Sequence, residues 1–407
     1  MTTPPLSHLR VLECATFVAG PSCGMTLGQL GAEVLRVDLP QGGSDHQRWP
    51  LATSGASLYW ANLNKGKRSV TIDYRLPAGR ELVVELATRP GAGSGVFVDN
   101  LVGRSALTRA ELLERRSDMI TMRILGFPDG RPAVDYTVNA AVGVPYMTGL
   151  AGSGEPVNHV LPAWDLLTGA MAAVGLLAAV TQRQQTGEGA DLQIALADVA
   201  LSGVGALGWL AEALQDGPRA AHGNHVFGSF GTDFATSDGE RVMIVALTQG
   251  QWQALCDVTG TGAVFDALES ALGTDLREES ARYELRETIG SILRPWFSAR
   301  PIAEVREDLD RARVLWGPYR TMSDAAALAR QDATSVASEV EQPGIGRMLA
   351  TTIPVRWNGG TSAPAPAPVL GADTEQVLAE ELGLSGAEIG ALLQRGVVGV
   401  PGRAEAS

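Results

Sequence analysis

Asp165 stands immediately before a run, Leu166 to Val180, in which almost every residue is apolar or small. Such a run reads as a helix, and the residue just ahead of it is an N-cap position, where the first amide N–H groups have no partner inside the helix. Two chemistries suit a carboxylate there. As a cap it accepts those N–H groups and does no more. As a nucleophile it is held ionised by the helix dipole and the free N–H groups, and an ionised carboxylate attacks an activated acyl carbon without a general base. The two readings are compatible. His159, six residues upstream, is a second candidate, as a structural hydrogen-bonder or as an acid/base group.

Other segments add candidates for binding. Asn62-Leu63-Asn64-Lys65-Gly66-Lys67-Arg68-Ser69 places three cations in four positions, which is either a solvated basic turn or a phosphate site. His222 to Gly231 is rich in glycine; it is either plain turn chemistry or a mobile loop whose Gly228–Gly231 N–H groups face a reacting carbonyl. The cysteines Cys14, Cys23 and Cys256 show no metal-ligand spacing, so no metal site is expected, and a reduced cytoplasmic setting fits them.

The elements that would position these groups alternate. A strand at Arg10–Glu13, a turn, a helix with Pro21 at its first position and a strand at Glu33–Asp38 form a β-α-β unit. It lacks the GxGxxG spacing of a dinucleotide site, so a dehydrogenase is a weak reading. Strands at Val70–Asp73, Gly95–Asp99, Met119–Ile124 and Ala190–Ile194, with helices between them, predict a mainly parallel sheet with helices on both faces. Ligands collect beyond the carboxyl ends of such strands, where Asp38, Asp73 and Asn100 lie. A composition break at Gln215–Ala221 ends a large domain spanning 1–215. A hairpin and amphipathic helices then predict a smaller α+β domain over 222–325.

With 407 residues, two domains are the default. A net charge of −13 argues against nucleic acid, since a duplex binder needs a basic face. Met1–Arg10 has no signal-peptide pattern, and the Leu166–Val180 run falls short of the ~20 residues that cross a bilayer, so no membrane association is expected.

Six short motifs in one order, Arg10-Val11-Leu12-Glu13, Ala19-Gly20-Pro21, Leu30-Gly31-Ala32-Glu33-Val34, Asn64 to Ser69, Trp164-Asp165 and Pro368-Val369-Leu370-Gly371, resemble the class III CoA-transferases over nearly the whole chain. Val134 to Asn139, Val157 to Asp165 and Gly228 to Phe234 resemble a subgroup that moves CoA between the two carboxyl groups of one molecule. The resemblance implies a Rossmann-like large domain completed by the C-terminal segment 330–407, with the small domain inserted, in an interlocked homodimer. It makes Asp165 the nucleophile toward an acyl-CoA, with CoA part of the substrate and no separate cofactor. Val18, Ala19, Ile72, Arg75, Asn100 and Asp135 fall where the family contacts CoA; Lys67, Arg104, His159, Gly228 and Gly231 complete the candidate site. Transfer to a second acid, a racemase and a non-catalytic CoA-binding subunit are the alternatives. Racemases of this fold place His where Val134 stands, which argues against proton shuttling.

Overall fold

The computed structural model describes residues 4–101, 103 and 107–401. In chain order the elements are β1 (Arg10–Cys14), α1 (Ala19–Gln29), β2 (Glu33–Asp38), α2 (Leu58–Leu63), β3 (Arg68–Ile72), α3 (Pro77–Thr88), β4 (Val96–Asp99), α4 (Arg109–Leu113), β5 (Ile120–Leu125), α5 (Asp135–Ala141), α6 (Val144–Met147), α7 (Ala163–Thr186), β6 (Ala190–Ala195), α8 (Leu196–Ala206) and α9 (Trp209–Gln215). There follow β7 (Phe230–Ala235), β8 (Arg241–Ala246), α10 (Gln249–Thr259), α11 (Gly262–Leu272), α12 (Glu279–Glu284), α13 (Arg286–Ser298), α14 (Ile302–Ala312) and β9 (Leu315–Pro318). The chain closes with α15 (Met322–Gln331), β10 (Ala337–Gln342), β11 (Gly346–Thr351), α16 (Thr374–Leu382), α17 (Gly386–Gln394) and β12 (Val398–Gly399).

The fold is α/β. The chain divides into one unit of 1–142, 159–215 and 326–407, and a second of 143–158 and 216–325. Residues 143–158, expected from the sequence to lie in the large domain, group with the second unit instead.

The first unit is built on a seven-stranded sheet in the order β12-β3-β2-β1-β4-β5-β6. It is parallel except for β12, which pairs antiparallel with β3 through Val398 opposite Ile72. The inner strands are apolar on both sides because both sides are covered. Val11, Val34, Val96 and Ile120 pack beneath α1 and α7, whereas Leu12, Leu35, Val70, Ile72 and Phe97 pack beneath α3, α16 and α17. Helix α7 is long and apolar enough to cross a membrane, with a mean hydropathy of 1.7. Its Ala172, Ala173, Leu176 and Val180 are core residues. Strand order reverses at β1, between β2 and β4, so the carboxyl ends of β1 and β4 border the crevice where such sheets bind ligands.

The second unit holds the antiparallel sheet β7-β8-β9, with Phe234 stacked on Phe297 at 4.3 Å. In the first unit, Gly187 ends α7 at φ 78°.

A charged cluster lies inside the first unit. On β2, Arg36 is wholly buried; it donates to Asp38 Oδ2 at 2.7 Å, to Asn64 Oδ1 at 2.9 Å and to Asp45 Oδ2 at 3.2 Å. The Lys67 ammonium donates to Glu13 Oε1 at 2.8 Å, to Asn64 Oδ1 at 2.9 Å and to the Pro21 carbonyl at 2.9 Å. Buried charges survive when paired and hydrogen-bonded, and removing one partner strands the other. Lys67→Ala is therefore expected to lower the unfolding free energy by about 3–5 kcal/mol, read from the urea midpoint. Unchanged stability would mean that Glu13 finds other partners.

Candidate active site

The site is organised by the first turn of α7. Asp165 is the third residue of that helix, not its cap; the N-cap is Pro162, which offers no side-chain hydrogen bond. The capping acceptor comes from another helix. Asp135, the first residue of α5, accepts from the backbone N–H of Trp164 at 2.7 Å and of Asp165 at 3.1 Å through Oδ2. Its other oxygen, Oδ1, lies 2.6 Å from His159 Nε2. Asp135 is 1% exposed and Asn139, one turn further along α5, accepts from the Trp164 indole at 3.0 Å. Two helices are thus stitched end to side by one carboxylate, one amide and one indole.

This arrangement leaves the Asp165 carboxylate without a hydrogen bond among the described residues. The expectation that the helix terminus holds it ionised is overturned. Burial, then the negative charge of Asp135, push Asp165 up to about 7, against the pull of Arg48. The Arg48 guanidinium lies 5.6 Å from the Phe17 ring centroid and 5.4 Å from that of Tyr59. Tyr59 itself is pushed up to about 12, chiefly by burial.

The N-terminus of α1 adjoins α7. A Cβ on Gly169 would overlap Ser22 Oγ and come within 2.7 Å of the Ala19 carbonyl oxygen, so only glycine permits this approach. Helix α1 starts at Ala19 with Val18 as its cap, two residues earlier than Pro21 suggests. The turn before it is held on both sides. Asn100, just past β4, accepts from Thr16 N–H at 3.1 Å and donates to the Thr16 carbonyl at 3.0 Å. Asp45 accepts from Phe17 N–H at 3.0 Å, and Phe17 sits at φ 68°, a left-handed conformation that a bulky side chain rarely adopts.

Several expected ligand contacts have other work. Lys67 is buried in its ion pair with Glu13 and offers nothing to a phosphate. Asp135 caps α7, and Asn100 clamps Thr16 with both ends of its amide. The Ile72 side chain is buried under α3, so that residue presents no side chain to a ligand. Val18 and Ala19 are buried too and bring backbone rather than side chains to the turn. Arg75 stays half-exposed while pairing with Asp73 at 2.7 Å. Arg104 lies outside the described residues. In the second unit Gly228 has φ 78° in a turn, but Gly231 belongs to strand β7 opposite Val245 and accepts from Val226 N–H through its carbonyl; a Cβ there would come within 2.6 Å of Val226. Arg48, Tyr59 and Asp45 were missed. Nothing in the spacing of Asp45-His46-Gln47-Arg48-Trp49 marks an arginine as facing Asp165.

Because Asp165 is raised above its unfolded value of ~4, the folded state binds its proton more tightly, and stability falls as pH climbs from about 4 through about 7. Asp165→Asn is expected to melt higher than the unmodified protein at about pH 8 and no differently below about pH 4. Asp135→Asn removes the neighbouring charge and moves the Asp165 titration, followed by carboxyl NMR shifts, to lower pH. An unmoved titration would mean that burial alone sets it.

Comparison with known proteins identifies the family. A family model described as CoA-transferase family III matches residues 6–374. The chain is 47% identical to a 2-methylfumaryl-CoA isomerase of Chloroflexus aurantiacus over 98% of its own length and 99% of the relative's. It is 28% identical to a succinyl-CoA–L-malate CoA-transferase beta subunit of the same organism, over 98% and 99% of the two chains. The crystal structure of a CAIB/BAIF family protein from Brucella suis superposes with a TM-score of 0.76 at 24% identity, covering 93% of this chain and 100% of that one. The chain belongs to CoA-transferase family III.

Proposed function

We propose that the enzyme is an intramolecular CoA transferase that interconverts 2-methylfumaryl-CoA (the C1 thioester of mesaconate) and 3-methylfumaryl-CoA (the C4 thioester). The observation that carries this reading is the 47% identity, over nearly the full length of both chains, to a relative named for that isomerisation. The unbonded carboxylate of Asp165 supports it: two carboxylates share one helix terminus, and only one of them is engaged.

Asp165 attacks the thioester carbonyl, forming a mixed anhydride and expelling CoA as its thiolate. The thiolate attacks the aspartyl carbonyl, so CoA rests on Asp165 and the diacid is freed within the site. If the other carboxylate of that diacid attacks the aspartyl thioester, the same steps in reverse return CoA to the opposite end and regenerate Asp165. Each addition makes an oxyanion. The first N–H groups of α1, those of Ala19 and Gly20, have no partner inside their helix and are the donors we assign to it. Since attack needs the ionised form, turnover rises with pH through about 7.

The enzyme needs no cofactor beyond the CoA of its substrate. Its exposed apolar residues on α7 to α9, among them Met171, Val174, Leu201 and Leu214, fit burial against a second copy in a homodimer. Cys14, Cys23 and Cys256, all free and buried, fit a reducing cytoplasm.

The purified protein incubated with 2-methylfumaryl-CoA and no acceptor acid is expected to yield the C4 isomer, without incorporating labelled free mesaconate, and Asp165→Ala is expected to yield none. A substrate that stays unchanged until succinate or malate is added would assign intermolecular transfer instead.

A further inference from the structure

A dicarboxylic acyl-CoA brings one carboxylate that carries no CoA, and a half-buried site that already holds two carboxyl groups repels it. A cation must face it. For planar, bidentate recognition of a carboxylate, a guanidinium is the best-suited side chain.

The cations near the reversal point of the sheet are mostly committed. Arg36 is buried among Asp38, Asp45 and Asn64, Lys67 lies on Glu13, Arg123 pairs with Asp99 at 3.0 Å and Arg75 with Asp73. Arg48 differs. It is exposed, and among the described residues its guanidinium has no hydrogen bond or ion pair to another side chain. It rests instead on the rings of Phe17 and Tyr59, which orient a guanidinium by cation–π contact while leaving its N–H fork open.

An unpaired arginine is unexpected in a chain with 45 acidic and 32 basic residues. Asp45, three positions away, would be its natural partner. That carboxylate is held elsewhere, accepting from Arg36 Nη2 and from Phe17 N–H. The same bond that turns Asp45 away from Arg48 fixes Phe17 in its left-handed conformation, under the guanidinium. Phe17, under Arg48, directly precedes the start of α1, whose Ala19 and Ser22 lie against Gly169 one turn along α7 from Asp165, and the Arg48 charge opposes the upward shift of Asp165.

We propose that Arg48, stacked on Phe17 and Tyr59 beside Asp165, grips the free carboxylate of a dicarboxylic acyl-CoA and sets the enzyme's preference for diacids. This rests on the reading of Asp165 as nucleophile. The role is the same in both directions. While CoA sits on C1, Arg48 holds the C4 carboxylate. When CoA has passed to Asp165, one end of the diacid remains on Arg48, and exchange of the ends there separates isomerisation from simple return.

The test compares single-turnover formation of the Asp165–CoA thioester, trapped with hydroxylamine and located by mass spectrometry, from 2-methylfumaryl-CoA and from crotonyl-CoA, which lacks the second carboxylate. The unmodified enzyme should prefer the diacyl substrate. In Arg48→Met the apparent KM for 2-methylfumaryl-CoA should rise by ~10–100-fold, the value for crotonyl-CoA should stay within about twofold, and free mesaconate should escape into solution. Arg48→Lys keeps the charge without the fork and should recover only part of the preference. Should Met disturb the fold, the lysine variant decides alone. A wild-type preference in the folded variants overturns the proposal for Arg48. Absence of an Asp165 adduct in the unmodified enzyme fails the nucleophile instead, so the two failures are told apart.

Discussion

One carboxylate holds the site together. Asp135 accepts two backbone N–H groups at the start of α7 and meets His159 on its other side, so it must be an acceptor at both oxygens to do its work. An N-terminus closed in this way has lost the donors that would otherwise attract a second anion. The side chain of Asp165, part of the same turn, is then left in a half-buried place beside a fixed negative charge. Two identical functional groups thus acquire different surroundings: one is fully solvated by protein, the other is under-solvated. A carboxylate with a pKa near 7 retains more intrinsic basicity than an ordinary one yet still ionises near neutral pH, which suits the role we propose for Asp165.

The buried cluster on β1 and β2 extends this logic outward. Arg36 lies at its centre, and Asp45 links it to the surface by reaching Phe17. Clusters of this kind contribute little net stability compared with apolar packing, but they tolerate few alternative arrangements. Here the one arrangement fixes the turn between β1 and α1, which Asn100 secures from the β4 side. The turn lies at the reversal point of the sheet. The strain at Phe17 is therefore supported from the core, where the ion pairs leave Asp45 no freedom to move away.

Much of the architecture was legible from the chain because hydrophobic periodicity is a local property. The parallel order and the ends of β2 are both written in short windows. The edge strand β12 and the hairpin β10–β11 were not seen, since Ala337–Gln342 alternates between charged and small residues and draws its partner from its own neighbour rather than from a core. Asp165 could be found because it interrupts an apolar stretch. Lys67, Asn100 and Asp135 each have protein partners that the sequence does not announce, since a sequence displays a charge or an amide but not the partner that engages it. Arg48 failed for the opposite reason, because what distinguishes it is the absence of a partner, which depends on Asp45 being held by a residue nine positions away.

Gly169 sets a limit of another kind. The contact between α1 and α7 is made there by backbone against backbone and a serine hydroxyl, with no side chain on the α7 side to be lengthened or shortened. The separation of these two helices is therefore a quantised dimension of the fold rather than an adjustable one. Variation that moves α1 relative to α7 has to act elsewhere along the two helices, because Gly169 offers no graded series of smaller residues through which to move.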